Sequence, residues 1–131
     1  ITDVEYGIGD YLSGDGGIAE LFWSIGVENL FIVPGHSRFI NSSELITSKA
    51  MDELMSTIRA DEMAPIIIID LPPVLATDDA LAVAPIVDSL LFVVSERETK
   101  RADVVHSLNI LRNVELMGVV LNKSTDTQPG Y

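Results

Sequence analysis

"APIIIIDLPPVLATDDALAVAP" (residues 64–85) places Ile66, Ile67, Ile68 and Ile69 in a row, sets Asp70 directly behind them, and follows with Pro72 and Pro73. An uninterrupted apolar run of this length suits a strand buried on both faces of a parallel sheet. An acid at the C-terminal end of such a strand stands where open α/β sheets bind their ligands.

Working outward, the chain alternates between helix-like and strand-like stretches. Short helices are expected around Ile8–Leu12 and Ile18–Ile25, broken by "SGDGG" at 13–17. "NLFIVPG" (29–35) reads as a buried strand ending in a Pro-Gly turn. Asn41 is placed to cap the next helix, with Glu44 three residues on as its reciprocal partner. Met51, Leu54, Met55 and Ile58 form one stripe of that helix, which ends before Pro65. After the isoleucine strand (66–70), Thr77 or Asp78 caps a short helix running to about Val87, with Pro85 near its end. "LLFVV" (90–94) is a third buried strand. Residues 99–114 form an amphipathic helix with Val104, Val105, Leu108 and Leu111 on its core face, and 116–124 form a fourth strand. The polar residues 125–131 read as a flexible tail. Strands alternating with helices predict βαβ units with right-handed crossovers. The expected fold is a single α/β domain over residues 1–131, three-layered, with a mostly parallel sheet of about four strands flanked by helices.

Composition narrows the function. The 131 residues suffice for one domain with a real core, burying roughly 65–70% of the unfolded surface. A hydrophobic content of 47% excludes a disordered chain. With 20 acids against 8 bases the net charge is −12, which repels nucleic acid and anionic membrane surfaces. No apolar run approaches the roughly 20 residues that span a bilayer, so no membrane insertion is expected. No basic-then-apolar leader opens the chain; it starts at Ile1 rather than Met, as a piece of a longer protein would. The absence of cysteine excludes disulfides and thiolate metal sites and is compatible with a cytosolic setting.

Nucleotide chemistry is the first motif to test. A P-loop requires G-x-x-x-x-G-K-[ST], so that backbone N–H groups and a lysine surround the phosphates. Gly9 and Gly14 have the glycine spacing, but Asp15 stands where the lysine is required. Lys49, Lys100 and Lys123 follow no suitable glycine pair. The phosphate cradle is absent from this sequence, and Asp70 is half of a site at most. Two readings of Asp70 stand side by side: a ligand to Mg²⁺ beside nucleotide phosphates, or a carboxylate that ends a strand and caps the next turn. Asp78 and Asp79 read chiefly as acids at a helix N-terminus; a place for Asp78 facing the nucleotide across the "LPPVLAT" loop is the lesser alternative.

"NKST" (122–125) is like the base-reading N-K-x-D pattern at the end of a sheet strand, but Thr125 stands in the aspartate position, so guanine specificity is not supported. Asn122 is left as a contact to a base edge or as a plain turn residue. His36 and His106 lack metal spacing, and no Ser-His-Asp arrangement or G-x-S-x-G elbow occurs. Tyr131, at the terminus, is accessible to a kinase or is simply a tail residue.

The order "GIGDYLSG" (7–14), "NLFIVPG" (29–35), "NSSELITSKAMDELMSTIR" (41–59), "IIIIDLPPVLATDDALAVAPIVDSLLFVV" (66–94) and "GVVLNKS" (118–124) resembles the C-terminal part of the bacterial tyrosine kinases, over about residues 7–124. These are cytoplasmic kinase domains of exopolysaccharide and capsule synthesis, relatives of the MinD/ParA P-loop ATPases. The stretch Ser43-Glu44-Leu45 to Met51 ahead of the D-x-P-P strand resembles this family more than ParA or MinD.

The resemblance implies ATP or ADP with Mg²⁺ as cofactors, Asp70 as the Walker B aspartate, and Tyr131 as the remnant of the C-terminal autophosphorylation cluster. It implies a place at the cytoplasmic face of the inner membrane beside a polysaccharide co-polymerase. Walker A and Walker A′ lie upstream of "GIGDYLSG" in the family, so this chain alone is expected to be inactive. In that fold group the P-loop strand lies centrally, and its absence leaves a gap between strands 66–70 and 90–94. Direct pairing, a homo-oligomer or a companion chain carrying the P-loop half would close it. The rival readings are a non-enzymatic binding module derived from the kinase and a truncated fragment.

Overall fold

The computed structural model describes residues 5–35, 41–60 and 65–125. They divide into two compact units, Ile1–Asp70 and Leu71–Tyr131.

The first unit opens with α1 (Ile8–Leu12). The Asp10 carboxylate reaches back to accept from the Gly7 N–H at 2.9 Å, satisfying a donor at the helix start. The Ile8 N–H donates to the Pro34 carbonyl at 2.9 Å and ties α1 to the chain that follows the first sheet. That sheet is a two-stranded antiparallel ribbon, β1 (Trp23–Ser24) with β2 (Phe31–Ile32).

Two expectations are corrected here. The helix expected over Ile18–Ile25 is a single 3-10 turn, Ile18–Glu20, after which Trp23 enters the ribbon. The strand expected over 29–35 shrinks to two residues and pairs antiparallel. Only six residues separate β1 from β2, too few for the crossover that parallel pairing needs. Gly26 (φ +82°) and Asn29 (φ +59°) supply the left-handed backbone that turns the chain.

The helix expected after Asn41 is broken in two, α2 (Ser42–Ile46) and α3 (Lys49–Arg59). Asn41 does pair with Glu44, but through its own amide, Nδ2 donating to Oε2 at 3.1 Å, and its side chain makes no cap bond. The working cap is Ser48, whose Oγ accepts from the Met51 N–H at 3.3 Å. Of the predicted stripe, Met51, Leu54 and Met55 are buried and Ile58 is half-buried, with Leu12 and the fully enclosed Leu21 completing the core of this unit.

Residues 65–70 carry no helix or strand. Ile66 and Ile68 are 92% and 89% exposed. The sequence expectation of a buried inner strand is corrected for a simple reason. A strand exists through its ladder, and no described residue pairs with this segment.

In the second unit, the Thr77 hydroxyl accepts from the Asp79 N–H at 3.4 Å at the start of α4 (Asp79–Val83). A 3-10 turn, Ala84–Ile86, contains Pro85. Then β3 (Leu90–Ser95), α5 (Arg101–Ile110) and β4 (Leu116–Asn122) form a βαβ unit with β3 and β4 parallel. The register runs from Leu91 opposite Gly118 to Ser95 opposite Asn122. Ala80, Val83 and Leu111 are buried.

The α/β class is therefore as expected, but the parallel sheet is small. Among the described residues the four strands make two separate pairs rather than one sheet. Apolar side chains of β3 and β4 remain open, Leu91 and Val93 on one strand, Met117, Val119 and Leu121 on the other. On α5, Val105 leaves the expected core face and is 51% exposed, while Ser107 and Leu111 are buried. Ser107 lies two residues further on, about 200° around the helix, so the two cannot share a face. No helix among the described residues is long and apolar enough to cross a membrane.

Candidate functional site

Asp70 closes the first unit at the end of the isoleucine run. It is exposed, and no hydrogen bond or ion pair engages its carboxylate among the described residues. No cluster of three or more His, Cys, Asp or Glu suited to a metal occurs among those residues. A single open carboxylate fits Mg²⁺ as one ligand, because that ion keeps several waters and takes its remaining oxygens from phosphate. The residues present do not fit the phosphates themselves, since no lysine-bearing glycine loop accompanies the acid.

The second unit gathers its polar groups where β3 and β4 end, the edge at which α/β sheets bind ligands. Asn122 is the last residue of β4. Its Oδ1 accepts from the Lys123 N–H at 2.8 Å, and Lys123 turns into left-handed backbone at φ +57°. The Glu96 N–H donates to the Asn122 carbonyl at 2.9 Å, extending the ladder by one bond. The Glu96 carboxylate accepts from the Thr125 N–H at 2.8 Å. Lys123 Nζ donates to Glu98 Oε2 at 2.6 Å. Behind this, the Thr99 hydroxyl accepts from the Ser95 N–H at 3.0 Å. The "NKST" turn is thus held against the β3 exit by three contacts, and Asn122 is exposed on it.

Glu96 and Glu98 were missed in the sequence reading. Their signal was available: an acid-bearing turn, "SERET" (95–99), ends one parallel strand where "NKST" ends its neighbour. Asp79 is buried at the first turn of α4, as a helix N-terminal acid, and Asp78 makes no cap bond through its side chain. His106 is exposed on α5. His36 and Tyr131, with the tail from residue 126, lie outside the described residues.

No protein-family profile matches the chain. Individual relatives do. The tyrosine-protein kinase CpsD of Streptococcus pneumoniae is 29% identical over 119 residues, covering 89% of this chain and 52% of the relative. The putative tyrosine-protein kinase EpsB of Ralstonia nicotianae is 34% identical over 123 residues, covering 92% of this chain and 16% of the relative. The succinoglycan biosynthesis transport protein ExoP of Rhizobium meliloti is 32% identical over 125 residues, covering 86% and 15%. Among solved structures, the VpsO kinase domain superposes with a TM-score of 0.80 at 26% identity, over 91% of this chain and 59% of that domain. The chain spans about half the length of CpsD and under a fifth of EpsB and ExoP. Over most of its length the chain is thus similar in sequence to two proteins named as tyrosine kinases and to a succinoglycan biosynthesis transport protein, and in fold to a solved kinase domain.

Proposed function

We propose that the chain is part of an ATP-dependent tyrosine kinase of exopolysaccharide or capsule biosynthesis, acting at the cytoplasmic face of the membrane, and that its nucleotide chemistry requires a phosphate-binding half supplied by other polypeptide. The observation that carries this reading is the uncovered apolar surface of a parallel sheet. β3 and β4 leave Leu91, Val93, Met117, Val119 and Leu121 exposed, and the isoleucine run has no strand partner. Parallel strands are ordinarily covered on both faces, so further layers are required. A segment carrying a G-x-x-x-x-G-K-[ST] loop, in a longer form of the same protein or on a companion chain, supplies both the missing strand and the phosphate contacts.

In this reading Asp70 is a ligand to Mg²⁺, Asn122 offers its amide to the base of ATP, and Tyr131 is a phosphate acceptor. Magnesium supplies charge neutralisation at the phosphates when bound. The chain's own part is to place one carboxylate and one amide, because phosphoryl transfer is catalysed mainly by positioning and electrostatics. A chain without the cradle has little catalytic power by itself.

The test is co-expression with a polypeptide that bears the P-loop motif, followed by a tyrosine phosphorylation assay on the purified mixture. Activity in the mixture, absent from either chain alone and lost with Asp70→Asn, supports the reading. Equal activity with Asp70→Asn, or none in any mixture that co-purifies, refutes it.

A further inference from the structure

The exposed face of α5 carries a groove without acidic residues in its lining. Arg101, Ala102, Val105, His106 and Asn109 line a shallow groove of about 620 Å³ along the helix. All five are exposed, and Arg112 is exposed just past the helix end. The chain carries 20 acids, yet none lines this groove; Asp103, the acid of this helix, is not among the lining residues. Neither Arg101 nor Arg112 is held in an ion pair among the described residues, whereas Lys49, Arg97 and Lys123 are. An apolar side chain, Val105, stands half exposed and lines the groove together with Arg101, where a core position was expected.

We propose that this groove docks an acidic segment of a partner protein, whose carboxylates engage Arg101 and Arg112 and whose apolar side chain covers Val105. Charge complementarity selects the occupant. At −12 the chain repels acidic partners over most of its surface, so a local basic face is where one can be accepted, and it fixes orientation as well as affinity. Arginine suits this role because its planar guanidinium binds carboxylates through two bonds. From Arg101 to Asn109 the helix rises about 12 Å, the reach of roughly four residues of an extended partner. The inference does not depend on nucleotide binding or on kinase activity.

The probe is a fluorescein-labelled peptide of four Glu-Leu-Glu repeats, with a Lys-Leu-Lys counterpart, read by fluorescence anisotropy in 150 mM salt, a concentration at which distant surface charges are largely screened. The expected result is saturable binding of the acidic peptide only. Arg101→Glu, Arg112→Glu and Val105→Gln each weaken it at least fivefold, and Lys49→Glu, which changes net charge equally at another helix, weakens it less than twofold. Arg101→Glu places an acid in the first turn of α5, where helices tolerate it well, and Arg101→Gln repeats the test without reversing charge. No binding at 1 mM peptide, or equal weakening by Lys49→Glu, overturns the proposal. So does arginine-dependent sedimentation with phosphatidylglycerol vesicles in the absence of peptide binding, or arginine-dependent self-association in the ultracentrifuge, which would assign the face to lipid or to a second copy.

Discussion

Lys123 Nζ and Glu98 Oε2 meet at 2.6 Å across 25 residues of sequence, joining the exit of β4 to the exit of β3. The pair sits on the turn that carries Asn122, so it orders a candidate ligand edge rather than a core. Both side chains are more than half exposed, and such pairs contribute about 0–1 kcal/mol. Lys123→Ala is therefore expected to lower stability by less than about 1 kcal/mol in urea unfolding, with the difference shrinking in 1 M salt. A loss that is large and independent of salt contradicts this.

Gly16 lies against the outer ring atoms of Tyr6. Its φ is +69°, and a Cβ added there would lie 2.6 Å from Cε2 and Cζ of that ring, while the Tyr6 hydroxyl donates to the Asp15 carbonyl. Gly14 has φ +95° with open space around it. Gly14→Ala is expected to cost about 1 kcal/mol through backbone strain alone. Gly16→Ala is expected to cost at least as much, about 1–2 kcal/mol, because the same strain is joined by displacement of the Tyr6 ring. Thermal or urea unfolding of the two variants checks the order.

Desolvation holds the Tyr6 phenol above its ordinary value of 10.0, aided by the carboxylates of Glu20, Asp10 and Asp15. Its folded value exceeds its unfolded one, so the folded state keeps its proton longer. The corresponding stability is fully present below about pH 10 and is lost as pH rises from there through the folded value. Tyr6→Phe is expected to flatten the fall in stability above pH 10 and leave the slope at neutral pH unchanged, measured by urea unfolding across that range.

The α3 stripe and the α5 face make opposite predictions for similar side chains. Leu54 is 2% exposed, so Leu54→Ala is expected to cost about 2–4 kcal/mol. Val105→Ala, at an exposed position, is expected to stay within about 0.5 kcal/mol of the parent. Ser48→Ala removes the one side-chain cap bond of α3 and is expected to cost about 1 kcal/mol.

Elements governed by local chemistry were legible in the sequence. α1 matches its expected span, the Met51–Leu54–Met55 stripe is buried as its spacing implies, and β3, α5 and β4 fall where apolar runs and periodicity place them. The misreadings share a cause: they depend on what lies next to an element. Ile66–Ile69 read as an inner strand because nothing in a linear sequence says whether neighbours are present. β2 read as parallel because the close return from Trp23 was hidden in a stretch that scans as helix. Val105 read as core because an apolar residue near the helix stripe carries no mark of the side it faces. Of the candidate site residues, Asn122 stands at the end of β4 where its apolar run implies, Asp70 ends a run that forms no strand among the described residues, and Glu96 and Glu98 emerge only when the two strand exits are set side by side.

Calorimetric titration with Mg-ATP and Mg-ADP, of this chain and of its Asp70→Ala variant, decides whether nucleotide chemistry needs a phosphate-binding half beyond residues 1–131. No saturable binding by the isolated chain is expected at up to about 1 mM nucleotide, where the available free energy is near −4 kcal/mol, and binding is expected to appear with a P-loop-bearing partner and to disappear again with Asp70→Ala. Micromolar binding by the isolated, monomeric chain would contradict it.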